Sequence, residues 1–565
     1  MDDNNEVLSS PRIEQMGEAA LLVRLGNGIS EAVNNRVLAL DEALRVKDIQ
    51  GIIDQVPAYS TLLVTFDPAV VPEEYLREQI ASIVSAGLPS IYAGSRSHTI
   101  PVQYGGEAGP DLDELAAAHK ITPADVVRVH TGRSYRVYFL GFMPGFAYMG
   151  SLARRIATPR LDTPRVRVPA GSVGIANAQT GVYPFASPGG WRIIGRTGRR
   201  LWDSYRREPS LFAPGDTVTF AESETEPEHD TALPAIPASE RPAMRVVEPG
   251  AFTTIQDLGR PGYAHQGLCR GGAFDADAAV RANTLVGNPP GAAVLEITWS
   301  GPTLLAMQNI TIAIDGADFG CRVEGATVPP GLSWLVRSGA TIRFSQSSPS
   351  RSGARTYLAI AGGFEVPRVL GSRTTYLPAS MGGYYGRALK AGDLLDMGQD
   401  AAYAGSVAGR YWLGDTGTAT QGGEAVLRFV RYRGVGIPSA RVFESFMDAT
   451  WEMSGQSDRM GMRLRRADGN SMASGGREMV SFGLVRGAIQ LPPDGNPVVL
   501  NVDHQTTGGY PLLGVVAQAD WPLLAQLRPG QHLRFEEIGV EEARAALARS
   551  RRELQRGRDD LALRR

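Results

Sequence analysis

Lysine is almost missing from this chain of 565 residues: Lys47, Lys120 and Lys390 are the only three, and arginine supplies the remaining basic charge. None of them follows a glycine, so there is no Gly-Lys-Ser/Thr loop to cradle the phosphates of a nucleotide. None lies between methionines, which excludes a conventional biotin carrier. Cysteine is nearly as scarce. Cys269 and Cys321 are far apart and lack ligand spacing, so neither a disulfide framework nor a zinc site is expected. The seven histidines include no pair at metal spacing, and no metal is expected. A Gly-x-Ser-x-Gly elbow is absent, which argues against serine nucleophile chemistry. No run of about 18 apolar residues occurs, so nothing reads as a membrane span. The opening MDDNNEV has no apolar region behind it, unlike a signal peptide, and the cytoplasm is the expected location. A net charge of −2 gives no reason to expect nucleic acid or an anionic membrane as partner.

What the chain does have is length, glycine and proline. A chain this long divides into several cores, and the 66 glycines and 37 prolines are spread along it as they are where short strands meet in tight turns. Between residues 12 and 104 the pattern predicts β-α-β-β-α-β, the ferredoxin-like order. Its elements are a strand at Ala19 to Leu25, a helix at Ser30 to Val46, strands at Ile52 to Ala58 and Thr61 to Phe66, a helix opened by Pro72, and a last strand at Thr99 to Tyr104. The first helix puts Val33, Val37, Leu40 and Leu44 on one face with Ser30 as N-cap, and the second buries Leu76, Ile80, Ile83 and Val84. A short helical stretch follows, with Thr122-Pro123 as a helix start and His130 near its end.

Beyond Tyr135 one arrangement occurs three times. Gly189-Gly190-Trp191 leads to Ile193-Ile194-Gly195 and then Pro214-Gly215. Gly362-Gly363-Phe364 leads to Val369-Leu370-Gly371 and then Gly392-Asp393. Gly508-Gly509-Tyr510 leads to Leu512-Leu513-Gly514 and then Pro529-Gly530. Three copies predict one β-barrel unit used repeatedly. Residues 223–243, acidic and proline-rich, read as a linker, and 541–565 as a charged helical tail.

Two sets of motifs go further. Gly141-Phe-Met-Pro-Gly-Phe-Ala-Tyr148, Pro164-Arg-Val-Arg-Val-Pro-Ala-Gly-Ser172, Gln179-Thr180-Gly181 and Ser187-Pro-Gly-Gly-Trp191 resemble the B-type component of 5-oxoprolinase. Thr254-Ile-Gln-Asp-Leu-Gly-Arg260, Asn283-Thr-Leu-Val-Gly-Asn288, Gly371-Ser-Arg-Thr-Thr375, Ser457-Asp-Arg-Met-Gly461 and Asp503-His-Gln-Thr-Thr-Gly-Gly-Tyr510 resemble the C-type component of the same system. The chain is thereby similar to a head-to-tail fusion of the two, related also to allophanate hydrolase components and to the carboxyltransferases of urea amidolyase. The resemblance implies an α+β, mostly β fold. A ferredoxin-like domain (12–96) would precede three cyclophilin-like barrels (97–222, 244–420 and 421–540). It implies a component of ATP-dependent 5-oxoprolinase that needs a separate partner subunit. The alternative is a biotin-dependent carboxyltransferase served by carboxybiotin on a separate biotin carboxylase and carrier protein. A third reading is a regulator that binds a histidine kinase; a homo-oligomer is compatible with all three.

Both reactions must hold a poorly nucleophilic amide or urea beside an activated group and stabilise an oxyanion. The residues suited to that work are Asp503 as general base, with Gln505, Thr507 and Arg373 as catalytic partners. Phe142, Phe146, Tyr148 and Trp191 offer pocket walls or core. Arg165, Arg167, Gln179, Thr180, Asp494, Thr506 and Tyr510 offer polar contacts to substrate or, equally, turn and ion-pair roles. Asp257 and Arg260 read as a structural ion pair fixing a turn. Family members commonly carry Ser-Glu-Gly where this chain has Ser481-Phe482-Gly483. If that glutamate is catalytic, the departure implies a different substrate or lost activity.

Overall fold

The computed structural model describes residues 7–88, 95–224, 239, 242–345, 353–398, 406–414, 424–472 and 479–563. Most of the expected linker, 223–243, lies outside the described residues. At the N-terminus four antiparallel strands stand in the order Val7–Gln15, Ala20–Gly26, Thr61–Phe66, Ile52–Pro57. The helices Glu31–Lys47 and Glu73–Ser85 cover one face. Their apolar stripes behave as the periodicity predicts: Val33, Val37, Leu40, Leu44, Leu76 and Ile80 join Leu21, Val23, Leu62 and Val64 in one core. Ser30 and Pro72 stand at the N-cap positions, one residue earlier than the helices themselves, and Ser30 makes no side-chain cap.

The expectation fails at the sixth element. The strand Ser97–Tyr104 does not close this sheet; it pairs with Thr217–Glu222 and Arg192–Arg196 in the next unit. The edge it would have filled is taken by Val7–Gln15, a strand that proline and alternating polar residues hide from a pattern reading.

Two closed seven-stranded barrels follow the same plan. In each, the strand after the Gly-Gly-aromatic turn runs antiparallel to the barrel's first strand, and the final strand runs parallel to it. Arg192–Arg196 and Thr217–Glu222 flank Ser97–Tyr104 in one barrel; Leu512–Val516 and His532–Glu537 flank Ala425–Arg431 in the other. The middle copy differs. Among the described residues it forms a seven-stranded and a five-stranded sheet around a shared core that includes Met244, Leu295, Ile312, Ile342 and Leu358. The tail is a helix, Val540–Leu563.

These units are packed into one another. The second face of the N-terminal sheet, carrying Ala20, Leu22, Val56 and Leu63, is buried against Phe482, Leu484, Leu500, Leu512 and Val515 of the last barrel. This explains why Ala20–Gly26 is buried at all seven positions instead of alternating. It also assigns Phe482: the side chain is 1% exposed and belongs to this interface. The terminal helix ties the ends together, with Arg551 paired to Asp67 (2.7 Å), Arg544 paired to Glu73, and Ser550 bonded to Asp277 (3.4 Å). No described helix is long and apolar enough to cross a membrane.

Truncating Phe482 removes a large side chain from a closed interface, so Phe482→Ala is expected to cost about 3–5 kcal/mol. Limited proteolysis should then cut between the N-terminal sheet and the first barrel sooner than in the parent chain. An unchanged cleavage rate and unfolding midpoint would show that this interface does not hold the module.

Candidate active site at the junction of the two halves

Motifs that lie hundreds of residues apart meet at one seam. The backbone N–H of Phe142, in the left-handed region at φ 65°, donates to Thr507 Oγ1 (3.2 Å). Gly141 is required there, because a Cβ would sit 2.0 Å from that hydroxyl oxygen. The Gly145 N–H donates to Gln266 O (2.9 Å), and a Cβ on Gly267 would lie 2.3 Å from Met143 O. The first barrel, the middle sheets and the last barrel therefore touch at backbone distance.

Behind the seam lies a buried ionic network. Arg459 donates to both oxygens of Asp503 (2.7 and 3.2 Å), to Glu296, and to Gly272 O (2.8 Å). The second oxygen of Glu296 accepts from Phe274 N (2.7 Å) and Tyr357 Oη (2.9 Å). The Phe274 ring sits among three guanidiniums, Arg355, Arg486 and Arg459, at 4.0, 5.4 and 6.0 Å. Asp503 is 2% exposed and fully engaged. Burial pushes its carboxyl up while Arg459 pulls it down. The geometry makes it an anchor for Arg459, which ties the last barrel to the middle unit; as a general base it has no free oxygen facing open space. Sequence alone does not single out Arg459, because its motif, Ser457-Asp-Arg-Met-Gly461, carries no signal of what the arginine will face.

The other polar candidates disperse. Asp257 does not pair with Arg260 as expected. Its carboxylate accepts from Ser372 Oγ and Thr374 Oγ1 (both 2.7 Å), Arg373 N (2.6 Å) and Gly259 N (2.8 Å), so it shapes the Gly-Ser-Arg-Thr-Thr turn. Arg260 is buried and donates to Thr374 O (2.6 Å). The Arg373 side chain is committed to Val366 O (3.1 Å) and Glu365. Asp494 caps an exposed turn through Asn496 N (3.1 Å). Arg165 is bound to Asp111, and Arg167 is exposed beside it on the strand Arg165–Val168. Thr180 is buried between His130 Nε2 (3.0 Å) and Gly174 O (3.1 Å). Its neighbour Gln179 begins the same barrel strand.

The aromatic candidates do gather: Phe142, Phe146, Tyr148 and Trp191 pack with Tyr59, Phe139 and Tyr183. Phe146 lies edge-on to Tyr148, Tyr183 and Trp191 at 5.0, 5.3 and 5.4 Å. Gln505 and Tyr510, half-buried, stay on the loop that carries Thr506 and Thr507.

Beside this loop is a cavity of about 460 Å³. The N-terminal sheet supplies Glu18, Asp54, Thr65 and Asp67, the middle unit Cys269, Arg270, Phe274 and Asp277, the last barrel Arg486, His504, Thr506 and Trp521, and the terminal helix Arg551. Three buried polar atoms on its lining residues, Thr506 Oγ1, Arg486 Nε and Trp521 Nε1, have no hydrogen-bond partner among the described residues. Burial pushes the Cys269 thiol far up, which rules out a resting thiolate. His504 is the residue the sequence did not flag. Its Nδ1 lies 2.7 Å from Gln505 O, which can only accept, so Nδ1 carries the proton and Nε2 keeps its lone pair. Burial lowers its pKa to about 4, leaving a neutral imidazole at physiological pH. No described group of three or more His, Cys, Asp or Glu is placed to hold a metal.

Comparison with known proteins agrees with this division. Residues 11–212 match the carboxyltransferase domain, subdomain C and D, and residues 266–537 match the carboxyltransferase domain, subdomain A and B. The first half is 39% identical to the B-type component of 5-oxoprolinase from Bacillus subtilis over 219 residues, 37% of this chain and 91% of that protein. The second is 35% identical to the C-type component of 5-oxoprolinase from Escherichia coli over 326 residues, 57% of this chain and 98% of that protein. The chain belongs to the family of 5-oxoprolinase B-type and C-type components, as a fusion of the two. The chain is similar to the crystal structure of TTHA0988 over most of its length, with a TM-score of 0.80, 36% identity, and coverage of 92% of this chain and 99% of that one. Urea amidolyase of Lachancea kluyveri is 31% identical over 326 residues, 54% of this chain and 17% of that protein.

Removing one partner of the buried network should be costly. Asp503→Ala is expected to destabilise the chain by about 3–5 kcal/mol in urea titration, because it deprives the buried Arg459 of one carboxylate. A loss of turnover with an unchanged midpoint would return Asp503 to the catalytic list. Asp54 gives a pH signature. Burial raises its pKa to about 6 although Gly262 N and Ala264 N donate to it, so its ionisation penalty is absent well below the ordinary carboxylate pKa and sets in as pH rises through 6. Asp54→Asn keeps the acceptor oxygen. It should raise the thermal midpoint at about pH 8 and leave it unchanged at about pH 3; a pH-independent difference would refute the assignment.

Proposed function

We propose that this chain is the fused B–C component of an ATP-dependent 5-oxoprolinase, which with a separate partner subunit opens 5-oxoproline to glutamate. The observation that carries the reading is the composite cavity: residues from the B-type and C-type halves wall one space with room for a single-ring substrate. The names of the relatives of both halves support it. ATP would be handled together with the partner subunit.

Ring opening must overcome amide resonance, and its developing oxyanion needs donors set in place beforehand. Thr506 offers an uncommitted hydroxyl beside the cavity. His504 lines the same cavity, and its Nε2, left without a proton by the Nδ1–H bond to Gln505 O, is the acceptor we assign to the reaction's proton. Asp503 holds the start of that loop, and Thr507 locks its far side to Phe142. Gln505 and Tyr510 complete the loop, and the aromatic cluster around Phe146 keeps the seam rigid. We read the N-terminal unit as a ferredoxin-like variant with a changed edge strand, and the middle sheets as an opened relative of the two barrels.

The second reading is carboxyl transfer from carboxybiotin, on a separate carrier, to urea or a related amide. The carboxyltransferase subdomain matches favour it. The two readings are separated by measuring 5-oxoproline- and ATP-dependent glutamate release from this chain mixed with its partner proteins. Release only when the chain is present is expected, with His504→Gln lowering the rate by about 10²–10⁴-fold and leaving the circular dichroism spectrum unchanged. No release, with carboxybiotin consumed on addition of urea, would replace the first reading with the second.

A further inference from the structure

Three arginines line the cavity, and they differ in what neutralises them. Arg551 is ion-paired with Asp67. Arg270 donates to Leu258 O (3.0 Å) and lies in the field of Asp54. Arg486 lies in the field of Asp275, Asp277 and Glu296 but makes no ion pair with a carboxylate among the described residues. Its Nη2 donates to Phe274 O (2.8 Å), its guanidinium lies 4.3 Å from the centre of the Trp521 ring, and its Nε has no partner. A guanidinium held by a carbonyl and aromatic faces, with donors to spare, is a costly arrangement unless an anion completes it.

We propose that Arg486 receives the carboxylate of the substrate, fixing a small cyclic carboxylic acid in the cavity with its ring amide toward His504 and Thr506. This rests on the 5-oxoprolinase reading and adds to it the residue that distinguishes the acid from an uncharged lactam. The planar fork of arginine suits a carboxylate bidentately, and stacking against Trp521 orients it in advance. Burial already lowers the pKa of Arg486 to about 10, so it remains charged at neutral pH and an incoming anion relieves the desolvation. Each of the four carboxylates on the same cavity has a donor: Glu18 the Gln518 N–H, Asp54 two backbone N–H groups, Asp67 the Arg551 guanidinium, and Asp277 the Ser550 hydroxyl at 3.4 Å.

The test is calorimetric titration of the full chain with 5-oxoproline, with 2-pyrrolidinone (the same ring without the carboxylate) and with acetate. 5-Oxoproline should bind at least about tenfold more tightly than 2-pyrrolidinone, as one charged hydrogen-bonded contact predicts. Arg486→Met should abolish that preference, whereas Arg551→Met should keep it. If the methionine variant does not fold, Arg486→Lys replaces it, and weakened 5-oxoproline binding with unchanged 2-pyrrolidinone binding is then expected. Equal binding of the two rings by the parent chain, no binding of any carboxylate, or a preference that survives in Arg486→Met overturns the proposal. Acetate binding that Arg486→Met removes, with no binding of 5-oxoproline, would keep the carboxylate site and reject the oxoprolinase reading.

Discussion

One buried guanidinium carries the architecture. Arg459 takes Asp503 from its own barrel and Glu296 and a carbonyl from the middle sheets, so two separately folded units share one desolvated charge. Such a cluster is neutral to stability at best when intact and costly when broken. What it supplies is registration. Asp503 begins the loop that holds His504, Thr506 and Thr507, and Glu296 positions Phe274, so the cavity inherits its walls from a single ionic junction. A polar loop of this kind would wander on an isolated barrel. Here both ends are fixed, one by charge and the other by the Phe142–Thr507 bond across the seam.

Apolar packing holds the same units from the other side. The N-terminal sheet is sandwiched between its own helices and the last barrel, and Phe482 lies in the second of those layers. Charge sets the angle of approach between units, and area supplies the adhesion. The terminal helix adds Arg551, Arg544 and Ser550 across the ends, so the cavity is enclosed by elements from both halves without any one of them forming it alone.

The two helices of the N-terminal unit, the strands Ala20–Gly26, Ile52–Pro57 and Thr61–Phe66 and the repeated Gly-Gly-aromatic turns were legible because each depends on local pattern: a 3.6-residue stripe for Leu76 and Ile80, a glycine turn before Leu512–Val516. What escaped depends on partners distant in sequence. Ser97–Tyr104 has the texture of a sheet-closing strand, and only the competing barrel decides where it pairs. Asp503 reads as a base because a carboxylate in a polar loop suits that role; its engagement by Arg459, 44 residues away, has no local signature. Arg486 and His504 are unmarked for the same reason, since a cavity walled by four segments exists in no single one. Phe482 reads as the loss of a catalytic group, and the structure finds it filling the interface against Leu63.

The order of synthesis acquires a meaning from the contact between the first sheet and the last barrel. Glu18 accepts from the backbone of Gln518, 500 residues later, and Glu14 meets Tyr432. When the ribosome has finished the first sheet, its helices can fold onto one face at once, while the other face still waits for a cover. At roughly 5–20 residues per second that wait lasts on the order of tens of seconds. During it a sheet bearing Ala20, Leu22, Val56 and Leu63 is exposed in a crowded cell. Joining both halves in one polypeptide puts each nascent sheet and its cover in the same chain, always in equal number.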